Sequence, residues 1–267
     1  MKAPELLIDY EDNWETDVGG WFPGARVVVR GEDLFESCQN KSWMEYLLHI
    51  VTGRKDPKLA KLLESVWVLC TSYPDPRLWN NRVAALSGTT RSTGVLGVAA
   101  GVAISEANLY GLRPIKRACD FLIRVKSGLD AGRPLEDLLD YEISTYRTAY
   151  GYGRPLASCD ERIAPMVKKA NEMGFGSGLH LQLAFEIEEK LEKKYKMKMN
   201  IAAVYGALMV DQGLTPSEAY SMTILSFTAG MFAGHSDALD KPSGAFFPLR
   251  VSRINYEGQE GHRVWGQ

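Results

Sequence analysis

From Ser42 onward the apolar positions recur with a helical period. Trp43, Tyr46, Leu47, Ile50 and Val51 fall at i, i+3, i+4, i+7 and i+8, a stripe closed by Gly53. Asp56-Pro57 opens a second helix with Leu59, Leu62, Leu63, Val66 and Leu69 on one face. The same reading predicts helices over 78–89, 114–129, 134–146, 161–173, 178–197, 200–212 and 216–239. Asp160 is the expected cap of the helix that follows it. Between Arg91 and Glu106 there is no charge, and Gly94, Gly97, Ala99, Ala100, Gly101 and Ala103 alternate with Val and Leu. A helix over 92–108 that accepts the cost of glycine, about 1 kcal/mol each relative to alanine, gains close backbone approach. It is expected to be central and buried, apolar on nearly every face.

Two stretches break the helical period. Ala25-Arg-Val-Val-Val29, between Pro23-Gly24 and Gly31, predicts a short strand. Thr148 to Asp160 holds two glycines, two tyrosines and a proline and predicts a long ordered loop. The expected class is all-α: a multi-helical fold with a large helical domain (1–111 and 200–267), a smaller helical lobe (112–199) and a short strand near the N-terminus.

Composition narrows the function classes. Of 267 residues, 45% are hydrophobic and 24% charged, with a net charge of -2. That is an ordinary globular balance with no basic surface for nucleic acid or an anionic membrane. The glycine-broken apolar stretch is shorter than the roughly 20 residues of a membrane span. Cys38, Cys70, Cys119 and Cys159 are far apart with no CxxC pair, which argues against a metal site or a disulfide scaffold. The acidic start, MKAPELLIDYEDNWETD, has no long apolar core, so a cytoplasmic protein is expected.

Motif order then suggests a family. Val29-Arg-Gly-Glu-Asp-Leu34 is similar to YRGYDI, and Leu69-Cys-Thr-Ser-Tyr-Pro74 takes the place of LCADHE. Gly94 to Ala103 takes the place of SGPLHGGA, and Gly151 to Arg162 is similar to GFGHRVY followed by DPR. Asn200 to Gly206 is similar to NVDFYSG, Ala229 to Gly234 to VAGWTAH, and Arg253 to Gly258 to RADYVG. In this order and spacing, over roughly 25–262, the chain resembles the citrate synthase superfamily, and within it the short branch of citryl-CoA lyase. The short segment between Gly53 and Val66 carries the resemblance to that branch.

The resemblance implies chemistry on a CoA thioester and a carboxylic acid, with coenzyme A or an acyl-CoA as ligand, and a homodimer built on helices like 78–108 and 200–235. Such chemistry needs a base beside the thioester methyl and donors for the enolate and keto oxygens. The family uses an aspartate and two histidines. Here Tyr73 and Arg154 stand where those histidines would be, Ala202 where the aspartate would be, and Ala100 where the histidine of GPLHGG would be. Phe227 replaces a carboxylate-binding arginine, while the arginine of DPR is kept as Arg162.

Tyr73 and Arg154 are therefore candidate donors, Asp75 and His235 candidate displaced bases, and Arg162 a candidate carboxylate ligand. Arg250 or Arg253 would reach a neighbouring subunit's site. Gly151 and Gly153 would let CoA's adenine lie on the backbone, with Lys168 near its phosphates. Each has a structural alternative: Arg162 paired with Asp160 or Glu161, Asp75 shaping its Pro74–Pro76 turn, His235 packed in its helix. The alternative function is a catalytically inactive homologue that binds CoA or a metabolite, or serves as a partner subunit.

Overall fold

The computed structural model describes residues 3–71, 73–109, 111–154, 159–245 and 250–258. Thirteen α-helices lie among the described residues: α1 (Ala3–Asp9), α2 (Leu34–Ser37), α3 (Trp43–Thr52), α4 (Pro57–Val66), α5 (Trp79–Thr89), α6 (Gly94–Ser105), α7 (Leu112–Asp130), α8 (Leu135–Tyr146), α9 (Ile163–Glu172), α10 (Leu179–Tyr195), α11 (Ile201–Asp211), α12 (Pro216–Ser221) and α13 (Thr228–Leu239). Strands β1 (Gly19–Phe22), β2 (Arg26–Val29) and β3 (Glu32–Asp33) form one antiparallel sheet in sequence order, with Gly19 opposite Val29 and Val28 opposite Asp33. The expected strand is β2, and the expected helical class is the one found.

Two compact units divide the chain, Met1–Tyr73 with Val102–Ala229, and Pro74–Gly101 with Gly230–Gln267. The stretch expected as a smaller lobe, 112–199, lies within the first unit. The first unit packs α10, α11 and α12 on α7. α7 supplies Leu112, Ile115, Ala118, Cys119, Phe121, Leu122 and Val125, a helical stripe that is fully buried. Capping is local and explicit: Ser42 and Glu45 cap each other's backbone at α3, and Asp56 accepts from Leu59 N at α4.

In the second unit α5, α13 and residues 94–101 of α6 meet through small residues. A Cβ at Gly101 would stand 2.7 Å from Met231 Sδ and 3.1 Å from the Asn80 carbonyl oxygen. This corrects the expectation of a buried helix. α6 buries Gly97, Gly101 and Ser105, one row at spacing four, and leaves Val95 and Leu96 78% and 63% exposed. Because close approach uses the glycine row, the larger apolar side chains face outward within a single chain.

The predicted helix over 216–239 is broken. α12 ends at Ser221, and tight turns (Thr223 N to Tyr220 O, Ser226 N to Thr223 O, both 3.0 Å) lead to α13. The carbonyls this break frees are used elsewhere in the unit. Met222 O accepts from Trp67 Nε1 at 2.8 Å, and Ser226 O accepts from the Thr71 hydroxyl at 2.9 Å.

Candidate functional site

After α4 the helix widens into one π-helical turn, Trp67–Thr71. Such turns misalign the regular ladder and expose carbonyls. Here the Cys70 carbonyl accepts from Arg162 Nη1 at 2.9 Å. The remaining face of Arg162 is bound to Asp160 in a fork, Nε to Oδ1 at 2.8 Å and Nη2 to Oδ2 at 2.7 Å.

Asp160 does not cap α9 as expected. The α9 N-cap is Arg162, without a side-chain cap, while Asp160 Oδ2 accepts from Ile201 N at 2.9 Å and so serves the first turn of α11. A carboxylate at a helix N-terminus also meets the favourable end of the helix dipole. The three-residue run Asp160-Glu161-Arg162 thus ties the π turn, α9 and α11 together.

Burial alone would push the Asp160 carboxyl up. The Arg162 hydrogen bonds and charge, with the backbone N–H groups of Ile201 and Arg162, more than reverse that and hold it below the usual carboxylate range. Burial pushes the Cys70 thiol up to about 12, so this cysteine is no nucleophile at neutral pH.

Arg154 joins the same cluster. Its Nη1 donates to the Cys159 carbonyl at 2.6 Å and to Glu161 at 2.8 Å, and lies 3.8 Å from Asp160. Tyr73, 37% exposed, is close enough to Arg162 to favour its charged form. The structure therefore brings Arg154 and Arg162 together around Asp160, with Tyr73 in electrostatic range of Arg162. Three of the five Arg162 N–H groups go to Asp160 and Cys70, and with a side chain 20% exposed it can still offer donors outward.

Gly151 and Gly153 have φ of +92° and +89°. A Cβ at Gly151 would stand 2.8 Å from Ala203 Cβ and 3.0 Å from Ala203 N, so this glycine lets the loop press on the start of α11. Gly151 O accepts from Asn200 N, Gly153 N donates to Lys198 O, and Gly153 O accepts from Asn200 Nδ2. Residues 155–158 of the loop lie outside the described residues. Ala202 is buried in the first turn of α11, its N–H bonded to Asn200 Oδ1.

The remaining candidates are placed otherwise. Asp75 and His235 lie in the second unit. Asp75 forms a fork with Arg77 (2.6–3.1 Å) and accepts from Arg77 N; the Arg77 bonds hold its carboxyl low. His235 is buried, with Nε2 3.1 Å from Ser92 O. Lys168 is 79% exposed and faces Glu172 at 4.0 Å. Arg250 and Arg253 are exposed, with no side-chain partner among the described residues.

Neither of two surface cavities is lined by these residues. A 560 Å³ cavity in the second unit is walled by apolar groups such as Pro74, Pro76, Ala85 and Ala233, its Lys241 and Asp237 paired at 3.1 Å. A 230 Å³ cavity in the first unit is lined by Arg117, Asp120, Arg124, Glu142, Tyr146 and Tyr150. In the first the Lys241 ammonium is met by Asp237, and in the second the Arg124 charge is met by Glu142 and Asp120. The Asp160 cluster is the better candidate on chemical grounds. Sequence reasoning missed the Cys70 carbonyl and the Asp160–Ile201 bond; the adjacent acid-acid-base triplet was the only local signal for either.

The fold has counterparts among solved structures. Citryl-CoA lyase from Hydrogenobacter thermophilus superposes with a TM-score of 0.79 at 18% identity, over 94% of this chain and 97% of that one. The chain has the citrate synthase fold. ATP citrate lyase from Methanosaeta concilii, an aspartate-to-alanine variant in complex with (3S)-citryl-CoA, shares this fold with a TM-score of 0.75 at 15% identity; the match covers 97% of this chain and 44% of that one. Citrate synthase from Thermoplasma acidophilum, in a ternary complex with carboxymethyl coenzyme A and oxaloacetate, matches with a TM-score of 0.65 at 17% identity, over 84% of this chain and 59% of that one. The chain thus spans nearly the whole lyase but about half the length of the other two. No family model and no curated protein matches the sequence. The fold agrees with the motif order read from the sequence, and among the described residues no helix is long and apolar enough to cross a membrane.

Proposed function

We propose that this chain binds a CoA thioester of a carboxylic acid and forms or cleaves a carbon–carbon bond next to the thioester carbonyl, using a site that departs from the family's pattern. The observation that carries this is Arg162, held by Asp160 and the Cys70 carbonyl and flanked by Arg154, on a fold whose solved examples hold citryl-CoA and carboxymethyl coenzyme A. In this reading Arg162, fixed by Asp160, turns its remaining N–H groups to a substrate carboxylate. Tyr73 donates to the carbonyl or enolate oxygen, where the nearby guanidinium stabilises developing negative charge. Arg154 is held beside them by Glu161 and adds positive charge. Gly151, Gly153 and Lys168 receive the adenine and phosphates of CoA.

The site works between two copies of the chain. The outward face of α6, with Val95, Leu96 and Ile104 exposed and no charge, is the contact surface of a homodimer. Arg250 and Arg253 then reach the neighbouring copy.

A second reading, binding without turnover, is favoured by one set of observations. Ala202 carries no proton, Asp75 is committed to Arg77, and His235 lies against the Ser92 carbonyl. A lost general base costs about 10²–10⁴ in rate. The ATP citrate lyase variant above holds (3S)-citryl-CoA with an aspartate replaced by alanine, so this fold can retain the thioester in such a variant. Incubation with citryl-CoA, followed by quantification of free CoA and acetyl-CoA, separates the readings. Turnover that falls in Tyr73→Phe supports the catalytic one; saturable binding with no product supports the other; neither binding nor turnover overturns both.

A further inference from the structure

Away from the candidate site, four side chains of the first unit gather around one carboxylate. Glu32, in β3, accepts from Lys41 Nζ at 3.2 Å and also from Lys55 Nζ. The same Lys41 ammonium donates to Cys38 Sγ at 3.3 Å. His49 Nε2 lies 3.6 Å from the Glu32 oxygen that receives Lys41. The His49 side chain is only 2% exposed, and neither ring nitrogen has a hydrogen-bond partner among the described residues.

Buried polar atoms are nearly always paired, so an unpaired imidazole aimed at a lysine–glutamate–cysteine cluster calls for a chemical reason. Burial pushes the thiols of Cys70 and Cys119 up to about 12. Cys38 is also buried, at 7% exposure, but its sulfur receives a hydrogen bond from the Lys41 ammonium, which neither of the other two has among the described residues. The backbone holds the pair ready, because Lys41 N donates to Cys38 O at 3.0 Å and closes the turn between them.

We propose that Cys38, Lys41, Glu32 and His49 form a peroxide-responsive crosslinking site, in which oxidation of Cys38 leads to a covalent bond between Cys38 Sγ and Lys41 Nζ. In the first step the Cys38 thiolate attacks one oxygen of a hydroperoxide. The O–O bond breaks, the other oxygen leaves and is protonated to water or an alcohol, and Cys38 becomes a sulfenic acid. In the second, the Lys41 ammonium gives one proton to Glu32, which passes it to His49. The free amine attacks the sulfur, and the sulfenic hydroxyl leaves as water with a second amine proton. The product is a sulfenamide, two hydrogens lighter than the thiol and amine. No further oxidant is needed, and a thiol reductant reverses it.

The test is treatment of the intact protein with hydrogen peroxide at neutral pH, followed by trypsin digestion and mass spectrometry. The expected product is a peptide spanning 31–54, uncut at Lys41 and two hydrogens light; dithiothreitol restores its normal mass, and renewed trypsin then cuts it after Lys41. Cys70 and Cys119 remain free for alkylation after unfolding. Lys41→Arg keeps a cation beside the sulfur but has no amine to attack, since a guanidinium stays protonated. It should accumulate a sulfenic acid at Cys38, trapped by dimedone, and lose the light peptide. His49→Gln should trap more dimedone and yield less light peptide. A wild-type protein that is cut normally at Lys41 after peroxide, or in which Cys38 is oxidised no faster than Cys70, overturns the proposal.

Discussion

Asp160 and Arg162 face each other through two parallel hydrogen bonds, 2.8 Å and 2.7 Å long, with the aspartate side chain wholly buried. The pair is two residues apart in sequence, yet it joins three elements: Arg162 reaches back to the π turn at Cys70, and Asp160 reaches forward to Ile201. Whatever the cluster does with a substrate, its geometry depends on this bond.

Breaking the pair from one side leaves a mostly buried charge without its partner. Asp160→Asn should therefore cost about 3 kcal/mol of stability, read as a lower urea midpoint at unchanged slope. The double variant Asp160→Asn, Arg162→Met should lose less than the two single variants summed, because each single change already removes the shared bond. Strict additivity would mean the two side chains act independently.

The same bond sets an acid limit. The folded Asp160 carboxyl is held below its ordinary value of 3.8, so its stabilisation is complete above that value and is lost as the pH falls through the lower folded value. Other depressed carboxylates, such as Asp75 and Glu32, add to the acid sensitivity of the wild type. The informative quantity is the stability gap between wild type and Asp160→Asn. It should be constant near neutrality and shrink as the pH falls through 3.8 and below. A gap that widens with acid would contradict the assignment.

Gly151 and Gly153 share a left-handed backbone but differ in surroundings. Gly151→Ala drives a methyl group into Ala203 at 2.8 Å and adds backbone strain, whereas Gly153→Ala meets only Met197 Cε at 3.6 Å. Strain alone costs about 1–3 kcal/mol. The melting temperature should fall in both variants and clearly further in Gly151→Ala. Equal losses would mean that the contact with α11 does not limit the loop.

Local signals in the sequence carried much of the fold. The helices over 43–52 and 112–130 were legible because their period needs no distant partner, although the first buries Met44, Leu48 and His49 rather than the stripe from Trp43, and Asp56-Pro57 and Ser42 mark helix starts by their own chemistry. What the sequence hid depends on contacts across long separations. Nothing near Trp67 indicates that its indole N–H will hold the Met222 carbonyl, so neither the π turn nor the break after α12 was visible. The apolar run of α6 read as buried because hydropathy does not tell a packed glycine row from an outward-facing Val95 and Leu96. At the site, Arg154 and Arg162 were legible as polar positions on a glycine loop. Their common partner was not, since Asp160 looked like a helix cap.

The outward face of α6 gives a direct prediction about assembly. The protein should sediment as a dimer, and Val95→Glu with Leu96→Glu should give a folded monomer with an unchanged helical circular dichroism spectrum. Burying a charge pair in an apolar contact of this kind outweighs the burial gained, about 25 cal/mol per Å². A wild-type monomer at all concentrations would remove the proposed contact.

The most direct test of the central claim, that this fold holds a CoA thioester beside Tyr73 and Arg162, is the melting temperature of the full chain titrated with citryl-CoA. The account predicts a rise that grows with ligand and saturates, as binding to the folded state alone requires. Tyr73→Phe should need more ligand to reach the same rise. A melting temperature that does not move at ligand concentrations up to about 1 mM, where even a weak site of Kd near that value would register, would contradict the claim.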